Sequence, residues 1–246
     1  MDLGTTGWIL GAIAAFAVGL AKGGLSMVGV IAVPLMALKV PPVQAAGILL
    51  PVYILSDIGG LIAFRKDFDR NVLVKLLPGA VSGILLGWAT AHLVSESTVE
   101  LIVGVIGLAF GLNALLRRNG MQEAKSPQWG PGTFWGVIAG YTSFVAHAGA
   151  PPYQVYAQPL RMSAMTYAGT TTIFFAICNI IKLGPYALLG QLSAQNMTVA
   201  AILTVPAILG VICGLWLVKR MSQAVFYRFI TWALILVSLR LIWAGL

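Results

Sequence analysis

Ten apolar stretches, parted by short polar loops, leave this chain almost no surface suited to water. They run over 7–21, 25–38, 43–64, 72–94 and 98–117, then 133–146, 151–160, 163–183, 196–218 and 223–245. A soluble domain carries about 25% charged residues, against 9% here, with 59% of the 246 residues hydrophobic. The bilayer is therefore the solvent, and its core admits only backbone that satisfies its own hydrogen bonds, so the expected fold is all-α and polytopic. The net charge of +8 is spread over loop ends, without the aromatic-interleaved basic run of a nucleic-acid binder. Met1 and Asp2 lead straight into apolar sequence and the first cation is Lys22, so the first stretch does not read as a cleaved signal. Cys178 and Cys213 lie in apolar runs, without metal-site or disulfide context, and are expected to be inert thiols.

The most polar segment, Arg117 to Pro131, divides the chain near its middle. Across it, Gly24 overlays Gly149, Pro34 overlays Pro159, Gly47 overlays Gly169 and Asp57 overlays Asn179. The pair Gly83 and Gly87 overlays Gly210 and Gly214. Shared order and near-constant spacing indicate a repeat: 1–118, a cytoplasmic linker 119–130, and 131–246. Each half opens with two short stretches and continues with three long ones. Fifteen helical residues reach only about 22 Å, short of the roughly 30 Å hydrocarbon core, so the short pairs read as re-entrant hairpins or broken helices. Each half then crosses an odd number of times, and the second is inserted upside down relative to the first: two inverted-topology repeats.

Charge offers an independent check. With the N-terminus on one side, the opposite side receives Arg65, Lys66, Arg70, Lys75, Arg117, Arg118, Lys125, Arg161, Lys219, Arg220 and Arg228, eleven cations. The N-terminal side receives Lys39, Lys182 and Arg240, and Lys22 lies at the first hairpin tip. Cytoplasmic loops hold the Lys/Arg excess. The expectation is a bacterial inner-membrane protein with basic loops in the cytoplasm and both termini outside.

The chemistry concentrates at two turns. Lys22-Gly23-Gly24-Leu25-Ser26 is the first, and His147-Ala148-Gly149-Ala150-Pro151-Pro152 the second. Helix starts leaving such turns expose N–H groups and partial positive charge, and two of them facing at mid-membrane would hold an anion. A lysine deep in a membrane is a functional candidate by default. Asp57, read as the lone acid inside a span, either neutralises Lys22 or tunes it while Lys22 meets a substrate. His147 either sits neutral in the core or takes up a proton with the substrate. His92 reads as interfacial. Candidate binding residues are Lys22, Gly23, Gly24, Ser26, His147, Gly149, Gln154 and Asn179, with Asp57 and His147 for charge balance or proton coupling. Tyr153, Tyr156 and Thr170 to Thr172 are polar groups near the same region that serve equally well as interhelical glue. No catalytic residue, metal ligand or cofactor is expected: isolated histidines, cysteines and one acid supply neither a nucleophile with its base nor a ligand cluster.

The stretches KGGLSMVGVIAVPLMAL and QAAGILLPVYILSDIGG in the first half resemble the TauE/SafE sulfite exporter family. So does HAGAPPYQVYAQPLRMSAMTYAGTTTIFFAICNIIKLGPYALLGQ in the second. The likeness covers nearly the whole chain. It departs at the first turn, which has two consecutive glycines where many members have three, and at His147-Ala148, where others carry glycine or serine. The resemblance implies a carrier of small sulfur-containing anions such as sulfite, sulfoacetate or other sulfonates, driven by membrane potential or a proton gradient. Its direction is open, since the family holds exporters and importers. The expected partners are a small anion and the lipid bilayer, with no nucleic acid, and a homodimer is one compatible assembly. A non-transporting membrane scaffold is the remaining alternative class.

Overall fold

The structure is a computed structural model and describes residues 3–91, 93, 95–116 and 124–246. His92, Arg117, Arg118 and the first part of the expected linker lie outside the described residues. The chain is 85% helical, without strands among the described residues. In order come α1 (Gly4–Lys22), a 3-10 segment (Ser26–Ile31), α2 (Ala32–Ala37), α3 (Pro42–Phe64), α4 (Arg70–Thr90) and α5 (Glu96–Leu116). There follow α6 (Trp129–Val145), α7 (Ala150–Ala157), a 3-10 turn (Gln158–Leu160), α8 (Ala164–Leu188), α9 (Ala194–Arg220) and α10 (Gln223–Gly245). Seven of these, α1, α3, α4, α5, α8, α9 and α10, are long and apolar enough to cross a membrane.

Side-chain acceptors start four of the helices. Asp69 accepts from the Asn71 and Val72 amides at α4, Ser163 from Thr166 at α8, Ser193 from Asn196 at α9 and Ser222 from Val225 at α10. Each satisfies amides that have no partner within the helix. Large apolar side chains point outward, among them Ile58, Ile62, Leu86, Ile208 and Ile212. The interior holds large side chains too, among them Phe64, Tyr153, Tyr167 and Phe174, but the closest helix crossings use glycine, which lets backbones approach where lipid supplies no hydrophobic drive.

Two expectations are corrected here. The apolar run 7–21 is too short to span, but α1 has 19 residues and reaches about 28 Å. It begins at Gly4, ahead of the apolar run. Asp57 is also not the only acid within a span. Glu100 is buried in α5 and accepts from Arg240 of α10 at 2.8 Å.

The choice between hairpins and broken crossings resolves as hairpins. After Lys22 the chain turns back, and Lys39 beyond α2 comes alongside Gly7 near the start of α1. Likewise Tyr156 on α7 donates to the Gln128 carbonyl just ahead of α6, and the Lys125 amide donates to Pro159.

Small residues also set which helices pair. Gly19 of α1 and Gly23 just past its end lie against the Ala207 and Val211 carbonyls of α9, so this pair runs parallel. Gly79 and Gly83 of α4 lie against the Thr133 and Val137 carbonyls of α6, again parallel. In contrast α3 and α8 run antiparallel: Gly47 meets Gln191, Asp57 meets Asn179 and Gly60 meets Thr172. So do α5 and α10, where Gly104 meets Ile242 and Gly111 meets Ile235.

Candidate functional site: a polar cavity between two hairpins

The first hairpin reverses through a glycine motif. The Leu25 amide donates to the Leu20 carbonyl and the Gly24 amide to Ala21, with Gly24 at φ 111°. This pattern satisfies the last carbonyls of a helix and demands a left-handed residue two places after its end. In the second hairpin that place, two residues beyond Val145, belongs to His147 at φ 50°. Among larger residues histidine is one of the more tolerant of this region. By its role in the turn, His147 therefore corresponds to Gly24, whereas the offset that lays Gly24 on Gly149 sets His147 against Lys22.

Lys22, the last residue of α1, is buried, and its Nζ lies 2.7 Å from Asp57 Oδ1. Asn179 Nδ2 donates to the other carboxylate oxygen at 2.9 Å. Tyr53, one turn before Asp57 on α3, puts its ring 5.2 Å from the Lys22 ammonium and donates its hydroxyl to the Gly29 carbonyl at 2.9 Å. The Tyr53 ring stacks on His147 with centroids 5.9 Å apart. His147 Nε2 shares a 2.7 Å hydrogen bond with the Tyr186 hydroxyl. Lys182 is buried as well and donates from Nζ to both the carbonyl and the hydroxyl oxygen of Ser143, at 3.2 Å each.

These groups enclose a cavity of about 50 Å³ lined by Lys22, Ser26, Gly29, Tyr53, Ser143, His147, Gly149, Thr171, Thr172, Phe175, Asn179 and Lys182, with Ala21, Val30 and Ala150. A second cavity of about 240 Å³ lies beyond it, bounded by Pro42, Val43, Ala46, Ala91, Phe144, Val145, Tyr186, Leu189 and Gln191. It sits at the end of the bundle where α3 begins and α4 and α8 finish. His147 lines both cavities, so its bond to Tyr186 stands between them.

Of the residues expected at a site, the structure brings Lys22, Ser26, His147, Gly149 and Asn179 to one cavity, with Asp57 directly behind Lys22. It does not bring Gly23, Gly24 or Gln154 there. Gly23 packs on Val211 and Gly214, and Gly24 on Ala168 and Val218. Gln154 turns toward α10, donating to the Ile230 carbonyl at 2.8 Å and to Gln158 at 2.9 Å. A one-residue step rotates a helical side chain by about 100°, so proximity to the turn did not fix its direction.

Lys182 is the residue the sequence reading misplaced. It was assigned to the aqueous edge because the apolar run stops at 183, yet α8 continues through Pro185 to Leu188 and draws Lys182 inside. The signal was present in the spacing. Thr172, Phe175, Asn179, Lys182 and Tyr186 follow one another by three or four residues, which places them on one helical face.

Membrane-length helices closed around a small polar cavity between two hairpins define a multi-pass membrane protein with a buried polar centre. The family model for Sulfite exporter TauE/SafE matches residues 10–241, and the chain belongs to that family. No curated protein and no solved structure matches it.

Proposed function

We propose that the protein is a secondary transporter of small sulfur-containing anions, sulfite or sulfonates, working as an exporter by alternating access. The observation that carries this reading is the cavity between the hairpins, where buried cations, hydroxyls and amides converge inside an apolar bundle. Buried cations in a membrane are costly and are retained where they meet a partner or a substrate. The family supplies the sulfur chemistry. The bound anion would contact Lys22, Ser26, His147, Gly149 and Asn179, with Asp57 holding Lys22 in place.

Two inverted repeats, 1–118 and 131–246, supply the moving parts. Matching α1, α3, α4 and α5 with α6, α8, α9 and α10 turns the α1–α9 pair into the α6–α4 pair, and both are parallel. The self-matched pairs, α3 with α8 and α5 with α10, are antiparallel. A two-fold axis lying in the membrane plane requires that combination, and rocking about it exposes a central site alternately to each side. The larger cavity beyond His147 would be the route on one side. With Lys182 inside, the cations toward the two faces number eleven against two, Lys39 and Arg240, which favours the orientation with basic loops in the cytoplasm. A negative cell interior then drives an anion outward by about 2.3 kcal/mol per charge per 100 mV.

Flux in proteoliposomes tests the reading. Sulfite or a sulfonate should move in response to an imposed potential, faster than through liposomes lacking the protein. Equal rates in both would reject it.

A further inference from the structure

We propose that Lys182 is the cation that carries the charge of the bound anion, and that the cavity selects a small monoanion over a dianion. The inference rests on the transporter reading above and names the charge class of its substrate. Lys22 cannot fill that role alone, because Asp57 already meets it at 2.7 Å. Lys182 has no carboxylate within ion-pair distance among the described residues. Its partners are two neutral oxygens of Ser143, and an ammonium has three donors. One N–H⁺ is left over in a group that lines the cavity and is 1% exposed.

The charge count is short. Counted with both lysines protonated and His147 uncharged, Lys22 and Lys182 against one carboxylate, Asp57, leave a formal +1. An uncompensated cation inside hydrocarbon is strongly disfavoured, and one negative charge on a ligand cancels it. A dianion would leave a net negative site and replace one desolvation cost by another. Size agrees with a small guest. A cavity needs about 10–15 Å³ to hold one water, so about 50 Å³ takes the equivalent of about three to five waters, comparable to the one sulfur and three oxygens of a sulfonate headgroup. Asn179, on the same helix, has a second amide N–H beyond the one it gives Asp57, whereas Thr171 and Thr172 spend their hydroxyl protons on the Tyr167 and Lys22 carbonyls. The Lys182–Ser143 contact ties α8 to α6, so ligand binding at Lys182 would also report on the packing of the second hairpin.

The test uses anions whose charge is fixed across the working pH range: methanesulfonate, with one charge, and sulfate, with two. Binding and flux are measured for the purified full chain in liposomes. The wild type should favour methanesulfonate at least tenfold. Lys182→Gln should lose at least tenfold in methanesulfonate affinity while its melting temperature and elution profile are kept, and Lys182→Arg should retain binding. Methanesulfonate affinity unchanged in Lys182→Gln overturns the proposal, and so does a wild type that binds sulfate as well as or better than methanesulfonate. If Lys182→Gln does not accumulate, the wild-type anion comparison decides. A wild type that moves neither anion nor sulfite rejects the transporter reading itself, a result distinct from failure of the Lys182 assignment.

Discussion

Lys22 and Asp57 form a buried ion pair at 2.7 Å that joins the tip of the first hairpin to α3, and Asn179 of α8 closes it from the other half of the chain. One carboxylate thus ties three helices together beside the cavity. Breaking such a pair by removing one partner costs about 3–5 kcal/mol, because it strands the other charge.

The pair makes a specific prediction for Lys22→Ala. The substitution leaves the Asp57 carboxylate against Asn179 alone and takes the cavity's formal charge from +1 to zero. Anion affinity should fall at least tenfold, about 1.4 kcal/mol, and the melting temperature should fall with it. Adding Asp57→Asn restores the formal charge and removes the stranded carboxylate. The double variant should recover much of the affinity and stability lost in the single one. Isothermal titration and thermal melts check this, and a double variant no better than Lys22→Ala would show that the contact of Lys22 with the anion outweighs its balancing of Asp57.

His147 stands between the two cavities, bonded to Tyr186 and stacked on Tyr53, with Lys22 and Lys182 as the cations across the cavity and Asp57 behind Lys22. Protonation of His147 would add a positive charge at the cavity wall and strengthen anion binding, so anion flux coupled to this proton should rise as pH falls through the titration. His147→Ala should flatten that profile, and Tyr186→Phe should shift it while leaving it visible. Flux measured from pH 5 to 8 decides. A profile in His147→Ala that follows the wild type would remove His147 from proton coupling.

How much of this was legible in the sequence differs from residue to residue. Hydropathy and glycine spacing gave the long helices, the two turns and the candidate pairing of Lys22 with Asp57, because those depend on local composition and on a scarcity of charges. Lys182 was misread because an apolar window ends where polarity rises, whereas a helix ends where its backbone loses partners. α8 carries on for six residues past Lys182 to Leu188. Gln154 was misread because the direction of a side chain on the eight-residue α7 is set by its packing against α10. The parallel contacts of α1 with α9 and α4 with α6 depend on tertiary register, which no single segment encodes.

Those contacts are tight enough to test by adding atoms. A Cβ on Gly83 would collide with the Val137 carbonyl, and the Tyr141 amide is only 2.8 Å from the same point. The obstacles are backbone atoms, which cannot rotate aside. Gly83→Val should therefore force α4 and α6 apart and destabilise the protein by about 3 kcal/mol, the upper end of the usual overpacking cost. Gly130→Ala, at a position with open space around it, should be nearly neutral. Thermal melts in detergent compare the two, and equal melting temperatures would mean that the α4–α6 approach is looser than the structure has it.

The inverted arrangement can be tested by asking which side of the membrane each loop faces. Lys66, just past α3, and Lys219, in the last turn of α9, are both exposed, as is Lys39 just past α2. If the halves are inverted copies with basic loops inside, Lys66 and Lys219 share the cytoplasmic face and Lys39 lies on the other. Single cysteines at these positions, in a chain with Cys178 and Cys213 replaced by alanine, should separate under a membrane-impermeant maleimide. Lys39→Cys should label in intact cells, and Lys66→Cys and Lys219→Cys only after permeabilisation. Labelling of Lys66→Cys and Lys219→Cys from opposite faces would break the symmetry on which the rocking mechanism stands. The antiparallel pairing of α3 with α8 would then need another origin than a duplicated, inverted unit.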